Sequence, residues 1–153
     1  MPKVSAGLLM FRRITSGLEV FLVHPGGPFW AKKDLGVWSI PKGEYQNGEP
    51  PLEAAKREFR EETGFEVGGQ PIELATVKQA GGKLVSVWTV EGDCDPAALA
   101  SNVCSIEWPP RSGRTIEIPE VDRGGWFGIE AARERILKSQ APVLDLLIQR
   151  FTP

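Results

Sequence analysis

The stretch from Gly43 to Phe65, GEYQNGEPPLEAAKREFREETGF, leaves this chain little choice of local structure. Pro50 and Pro51 fit a first helical turn, where a missing N–H has no partner to lose, and Gly64 fits the left-handed residue that ends a helix. The pattern predicts a helix from about Pro51 to Thr63. On it, Leu52, Ala55, Phe59 and Thr63 recur at helical spacing as a narrow buried stripe. Glu58, Glu61 and Glu62 stand at i, i+3 and i+4 and share a different face.

Like charges at that spacing repel by about 0.2–0.5 kcal/mol per pair, a cost that a purely structural helix has no reason to carry. A hard divalent cation removes the objection. Mg²⁺ takes oxygen ligands and is usually held by a few carboxylates together with a substrate's phosphates; without imidazole or thiolate nearby, the set favours Mg²⁺ or Mn²⁺ over zinc. The competing reading is a solvated helix face laced by i,i+4 pairs such as Glu53 with Arg57, and the helix alone leaves both open.

Composition sets the outer limits. At 153 residues, 41% hydrophobic and 25% charged, the chain fits one globular domain over 1–153 with a real core. A formal net charge of −2 is too small for a general nucleic-acid or membrane surface, so neither is an expected partner. The N-terminus, Met-Pro-Lys-Val-Ser, has no apolar signal core, and the run from Gly7 to Phe11 is too short to span a bilayer, which makes a cytoplasmic protein the expectation. Cys94 and Cys104 form no CxxC and read as two free thiols. His24 is the only histidine and no nucleophile-elbow pattern accompanies it, so Ser-His-Asp chemistry is not expected.

Along the chain, Val4 to Arg12 and Leu18 to His24 read as a hairpin about Thr15-Ser16-Gly17. Pro25 to Gly36 is a loop by composition, with Phe29 and Trp30 inside it either as a base-stacking platform or as a plug over the core edge. Val37 to Ile40 reads as a short strand leading into Pro41-Lys42-Gly43. Ile72 to Lys78 and Lys83 to Val90 flank Gln79-Ala80-Gly81-Gly82 as a second hairpin. Asp95 to Ala100 predicts one helical turn, and Ser101 to Arg114, with Pro109-Pro110 and Gly113, a long surface excursion. Thr115 to Ile118 alternates as a strand. Ile129 to Lys138 and Pro142 to Phe151 read as one broken or two separate amphipathic helices, with Val143, Leu144, Leu147, Ile148 and Phe151 in the core. No repeat or low-complexity tract interrupts this order.

Gly43, five residues, Glu49, seven residues, Arg57-Glu58-Phe59, one residue, Glu61-Glu62, one residue, Gly64-Phe65 resembles the Nudix box at every fixed position. This gapped pattern needs a loop, a helix and a turn as its context, and the surrounding elements supply them. The resemblance implies an α/β fold of Nudix type, an α/β/α sandwich with a mixed sheet, which periodicity alone does not reach. It also implies hydrolysis of a nucleoside diphosphate linked to some group X, with Mg²⁺ as cofactor and Mn²⁺ as a possible substitute. The expected partner is a nucleotide-like small molecule.

Residue by residue, Glu58, Glu61 and Glu62 match the family's metal-binding glutamates, and Gly43 the glycine whose carbonyl completes the shell. Arg57 matches the arginine that orients a box glutamate. Glu49 matches the first box glutamate, with a supporting and sometimes metal-linked role, and is also counted among the expected substrate contacts. The resemblance leaves the general base open: Glu61 is the first choice, Glu62 and Glu120 the alternatives. Glu120, six residues before Trp126, resembles the further metal-binding glutamate of nucleotide-pool-cleaning relatives; an ordinary loop glutamate is the other reading. Trp38-Ser39-Ile40-Pro41-Lys42-Gly43 resembles the Pro-Lys-Gly of relatives acting on dinucleoside polyphosphates and diphosphoinositol polyphosphates, which places Lys42 and Trp38 among the expected substrate contacts. The downstream tyrosine of dinucleoside tetraphosphate hydrolases is absent, since Tyr45 is the only tyrosine, and so is the downstream proline of many ADP-ribose pyrophosphatases. Arg111 and Arg114 are candidate phosphate contacts in the excursion. A nucleoside triphosphate and a dinucleoside polyphosphate both fit as substrate. The rival functions are a Nudix-fold module that senses a nucleotide without cleaving it, and a lyase or isomerase use of the same metal site.

Overall fold

Strand β1 (Val4–Ile14) is the axis of the fold, and its side chains alternate between two buried layers. Ala6, Leu8 and Met10 join one apolar cluster and Leu9 and Phe11 the other, as a two-residue period dictates for a strand covered on both faces. The computed structural model describes residues 3–152. In it β1 pairs antiparallel with β2 (Gly17–Pro25) and parallel with a later strand, Leu84–Glu91. A third strand, β3 (Lys42–Glu44), pairs with the beginning of β1, with Gly43 opposite Ala6. After helix α1 (Pro51–Thr63) come β4 (Ile72–Lys78) and β5, the Leu84–Glu91 strand, as an antiparallel hairpin. Two further strands, β6 (Val103–Glu107) and β7 (Thr115–Pro119), form a separate two-stranded sheet. Strand β8 (Val121–Gly128) closes the main sheet against β2, which gives the order β4-β5-β1-β2-β8.

Helix α1 covers one face through Ala54, Ala55 and Phe59, packed with Phe21 and Val23. Helices α2 (Ile129–Arg135) and α3 (Ala141–Phe151) cover the other through Ala132, Val143, Leu144 and Leu147. This is the mixed-sheet α/β/α sandwich that the resemblance implies. The boundaries of α1 follow from its end signals: Pro51 sits in the first turn, and Gly64, at φ 80°, donates its N–H to the Arg60 carbonyl at 2.7 Å. The buried stripe is wider than its four expected members. Ala54 is fully buried, Leu52 only half so, and Glu58 and Glu62 are buried beside Phe59.

One edge of β1 serves two partners. Phe11 to Ile14 pair with β2, whereas Ser5 to Gly7 pair with β3 and the Leu8 N–H bonds the Pro41 carbonyl at 3.1 Å. On the far side, Val23 of β2 exchanges two 2.9 Å backbone hydrogen bonds with Ser39. Residues 39–44 are thus wedged between the diverging ends of β1 and β2, and the wedge opens a pocket toward β8.

The structure corrects two sequence expectations. Val37 to Ile40 is no strand but carries two isolated bridges, because its backbone groups have scattered partners: Trp38 N–H meets the Arg135 carbonyl, and Ile40 N–H meets Gln140 Oε1. Ser101 to Arg114 is no featureless excursion, since its first half is β6, with Cys104 and Ile106 turned inward and Val103, Ser105 and Glu107 exposed. The Asp95 to Ala100 segment makes the expected single turn, at Pro96–Ala98, with Asp95 accepting a hydrogen bond from Ala97 N–H. Cys94 and Cys104 are free thiols. Among the described residues no helix is long and apolar enough to cross a membrane.

Candidate metal and substrate site

Helix α1 presents its carboxylates in two groups. Successive residues turn by about 100°, so Glu58 and Glu62 stand one turn apart on one flank while Glu61 falls on the side of Arg57. Glu58 and Glu62 are 8% and 9% exposed, yet both are acidic. The third member of their cluster comes from the residue before β8: carboxylate oxygens of Glu58, Glu62 and Glu120 all lie within 4.8 Å of one another. Glu61 is held apart, with both carboxylate oxygens 3.2 Å from Arg57 Nη1.

Burial pushes the Glu62 carboxyl up to about 9, with the nearby charge of Glu120 adding to the shift and Lys42 opposing it. Burial likewise raises Glu58, against the hydrogen bond from Arg57. Lys42 moves the other way: burial lowers it, and the facing Glu62, Glu120 and Glu58 only partly compensate. Three carboxylates crowded where water is scarce, near one partly desolvated lysine, form a set that gains most from a hard cation. The backbone fits that role as well. Gly43 lies so close to Glu58 that an added Cβ would come within 2.5 Å of Glu58 Oε1, so the glycine lets the β3 backbone pack directly against the cluster.

Arg57 is the organising cation. It donates from Nε and Nη2 to the two oxygens of Glu49, at 2.8 and 3.0 Å, and from Nη1 to Glu58 at 2.8 Å. The bidentate bond lowers the Glu49 carboxyl and raises the guanidinium. Glu49 therefore faces Arg57 and supports it.

Beside the carboxylates, the wedge of residues 39–44 leaves a pocket of about 240 Å³ lined by Trp30, Ser39, Lys42, Glu62, Glu120 and Leu137, among others. Trp30 meets Phe29 edge-on at a centroid distance of 4.7 Å, and Lys33 Nζ lies over both rings. Phe29 is exposed, so the aromatic pair is a wall with one wet side. The loop carrying it is pinned from below by His24, fully buried between the Lys33 carbonyl at 2.6 Å and Asp122 at 2.8 Å.

The structure brings together Lys42, Gly43, Glu58, Glu62 and Glu120, with Arg57, Glu49 and Glu61 behind and beside them. It does not bring in the other expected substrate contacts. Trp38 is a core residue, its ring edge-on to His24 and Phe127 and its indole N–H bonded to Asp34 at 2.8 Å. Arg111 and Arg114 are exposed in the β6–β7 connection, whose backbone is organised by the Glu107 carboxylate at Arg111 N–H and Gly113 N–H. Sequence reasoning singled out Trp30 as an aromatic in a loop but had no means of placing it beside Lys42.

The sequence model of the NUDIX domain matches residues 1–147. Solved structures share the fold at low identity. The NUDIX domain of Shewanella oneidensis NrtR complexed with ADP ribose aligns over 99% of this chain and 90% of that one, with 17% identity and a TM-score of 0.70. A C. elegans Ap4A hydrolase binary complex aligns over 95% and 96%, with 20% identity and a TM-score of 0.65. A MutT structure, from work on Aliivibrio salmonicida and Vibrio cholerae, aligns over 97% and 98%, with 20% identity and a TM-score of 0.58. With the box filled at each fixed position and its loop, helix and turn folded as the pattern demands, the chain belongs to the Nudix hydrolase family.

Proposed function

We propose that the protein is a Mg²⁺-dependent pyrophosphohydrolase, served also by Mn²⁺, that cleaves a phosphoanhydride bond in a nucleoside diphosphate linked to a second group. The observation that carries this reading is the Glu58, Glu62 and Glu120 cluster, two of whose members line a pocket together with Lys42. Glu58, Glu62 and Glu120 would hold the cation, with the Gly43 carbonyl beside them. The ion supplies charge neutralisation at the phosphate oxygens and acidifies a water. Lys42 offers its ammonium to a substrate phosphate.

Glu61 is the proposed general base. It stands outside the cluster, fixed by Arg57, and takes the proton as the water oxygen bonds to phosphorus. The bridging P–O bond breaks, and its electron pair leaves with the departing phosphate. A pocket of about 240 Å³, smaller than the usual 300–1,000 Å³ of drug-sized ligands, supports one nucleobase against Trp30 over two, and so a nucleoside triphosphate over a dinucleoside polyphosphate.

The test is incubation with Mg²⁺ and a panel of nucleoside triphosphates, dinucleoside polyphosphates, nucleotide sugars and diphosphoinositol polyphosphates, with products resolved by phosphorus NMR. Hydrolysis of a nucleoside triphosphate is expected, with turnover about 100-fold lower or worse in both Glu61→Gln and Glu62→Gln. Of the two, only Glu62→Gln should also weaken Mn²⁺ binding. Binding without cleavage across the panel would replace the enzyme reading with a sensing one, and full turnover in Glu61→Gln would remove that residue as base.

A further inference from the structure

The last carbonyls of a helix have no partner within it, and in α1 a strap from elsewhere in the chain supplies partners. Ala100 N–H bonds the Thr63 carbonyl at 2.9 Å and Asn102 N–H bonds the Glu61 carbonyl at 2.8 Å. The same strap faces the start of β8: Glu120 N–H donates to the Asn102 carbonyl at 2.9 Å, and Val121 N–H to Ser101 Oγ at 3.0 Å. The Asn102 side chain completes the link. With its amide oriented by its neighbours, the nitrogen lies 3.3 Å from Glu120 Oε2 and 3.2 Å from the Glu61 carbonyl, two acceptors that the amide oxygen could not satisfy.

Glu120 has reason to need such a bond. Its carboxylate comes within 4.8 Å of two others, a crowd of acceptors in which a fixed donor is what holds one of its oxygens in place. A second positive charge there would compete with the cation, whereas a neutral amide donor holds one oxygen and leaves the other directed at the cluster.

We propose that Asn102 is a positioning residue, whose side-chain amide aims the Glu120 carboxylate at Glu58 and Glu62 and ties it to the end of α1. This rests on the reading of Glu120 as a cation ligand. Asn102→Ala keeps both backbone hydrogen bonds and removes only the donor.

The experiment is Mn²⁺ titration by electron paramagnetic resonance, with thermal melting in chelator as the check on folding, for Asn102→Ala, Glu120→Gln and the Asn102→Ala/Glu120→Gln double variant. Asn102→Ala should weaken Mn²⁺ binding about 10-fold. The double variant should bind no more weakly than Glu120→Gln. Wild-type affinity in Asn102→Ala, or an equal loss when Asn102→Ala is added to Glu120→Gln, would overturn the positioning role while leaving Glu120 a ligand. Wild-type affinity in Glu120→Gln would overturn the ligand reading itself, and the positioning role with it.

Discussion

Gly43→Ala tests the packing of backbone against carboxylate most directly. Gly43 lies in β3 and its φ is not in the left-handed region, so alanine meets no backbone objection there. The obstacle is Glu58: the new Cβ would stand 2.5 Å from Oε1 and nearer still to Cδ and Oε2. Ordinary carbon contacts begin near 3.5 Å, so the carboxylate must retreat by about 1 Å or more. It is buried and held by Arg57 Nη1 at 2.8 Å, so retreat also strains that bond. Overpacking of this kind costs about 1–3 kcal/mol, and the flexible end of Glu58 puts the expected value near the lower figure. At about 2–4 °C per kcal/mol for a chain of this size, melting in chelator should fall by a few degrees. Mn²⁺ affinity should suffer more, by about 10- to 100-fold, because the displaced group is one of the cluster. Glu58→Ala empties the space, so in that background Gly43→Ala should cost little further stability, a coupling of about 1 kcal/mol in a double-mutant cycle. Wild-type Mn²⁺ affinity in Gly43→Ala, or an equal melting loss with and without the Glu58 carboxylate, would show that the Gly43 backbone does not constrain Glu58.

Two other predictions follow from buried polar groups. In chelator, the folded protein keeps a proton on Glu62 up to about pH 9 that the unfolded chain releases near 4.3, so stability should fall as pH rises between those values. Glu62→Gln should flatten that slope, and Mg²⁺ binding at neutral pH should release about one proton, countable by calorimetry in two buffers; a flat melting profile shared by both proteins would contradict it. Gln140 is fully buried, accepting from Ile40 N–H at 2.9 Å and donating to Ser39 Oγ at 3.1 Å. Gln140→Ala orphans a buried N–H and should cost about 1–3 kcal/mol. It should raise KM more than it lowers kcat, since Ser39 lines the pocket, and an unchanged melting temperature would count against it.

Sequence legibility followed the range of the forces involved. Helix α1 was readable to the residue because its ends are set by local backbone chemistry at Pro51 and Gly64, and the first hairpin because near-continuous apolar runs mark strands buried on both faces in β1 and β2. The strand β6 was hidden because Pro109-Pro110 and Gly113 follow it closely and only Cys104 and Ile106 mark its inner face. The carboxylates show where local reasoning stops. Spacing placed Glu58, Glu61 and Glu62 on one face, yet a rotation of about 100° per residue separates Glu61 from Glu62 enough for Arg57 to capture one and leave the other for the cluster. The vacancy is filled by Glu120, fifty-eight positions after Glu62 in sequence, and what brings it there is tertiary: the strap at Ala100 to Asn102 that caps α1 and anchors the entry to β8. A helix end that needs hydrogen-bond partners and a cation site that needs a third carboxylate are thus met by the same segment, so the completeness of the site depends on how α1 terminates.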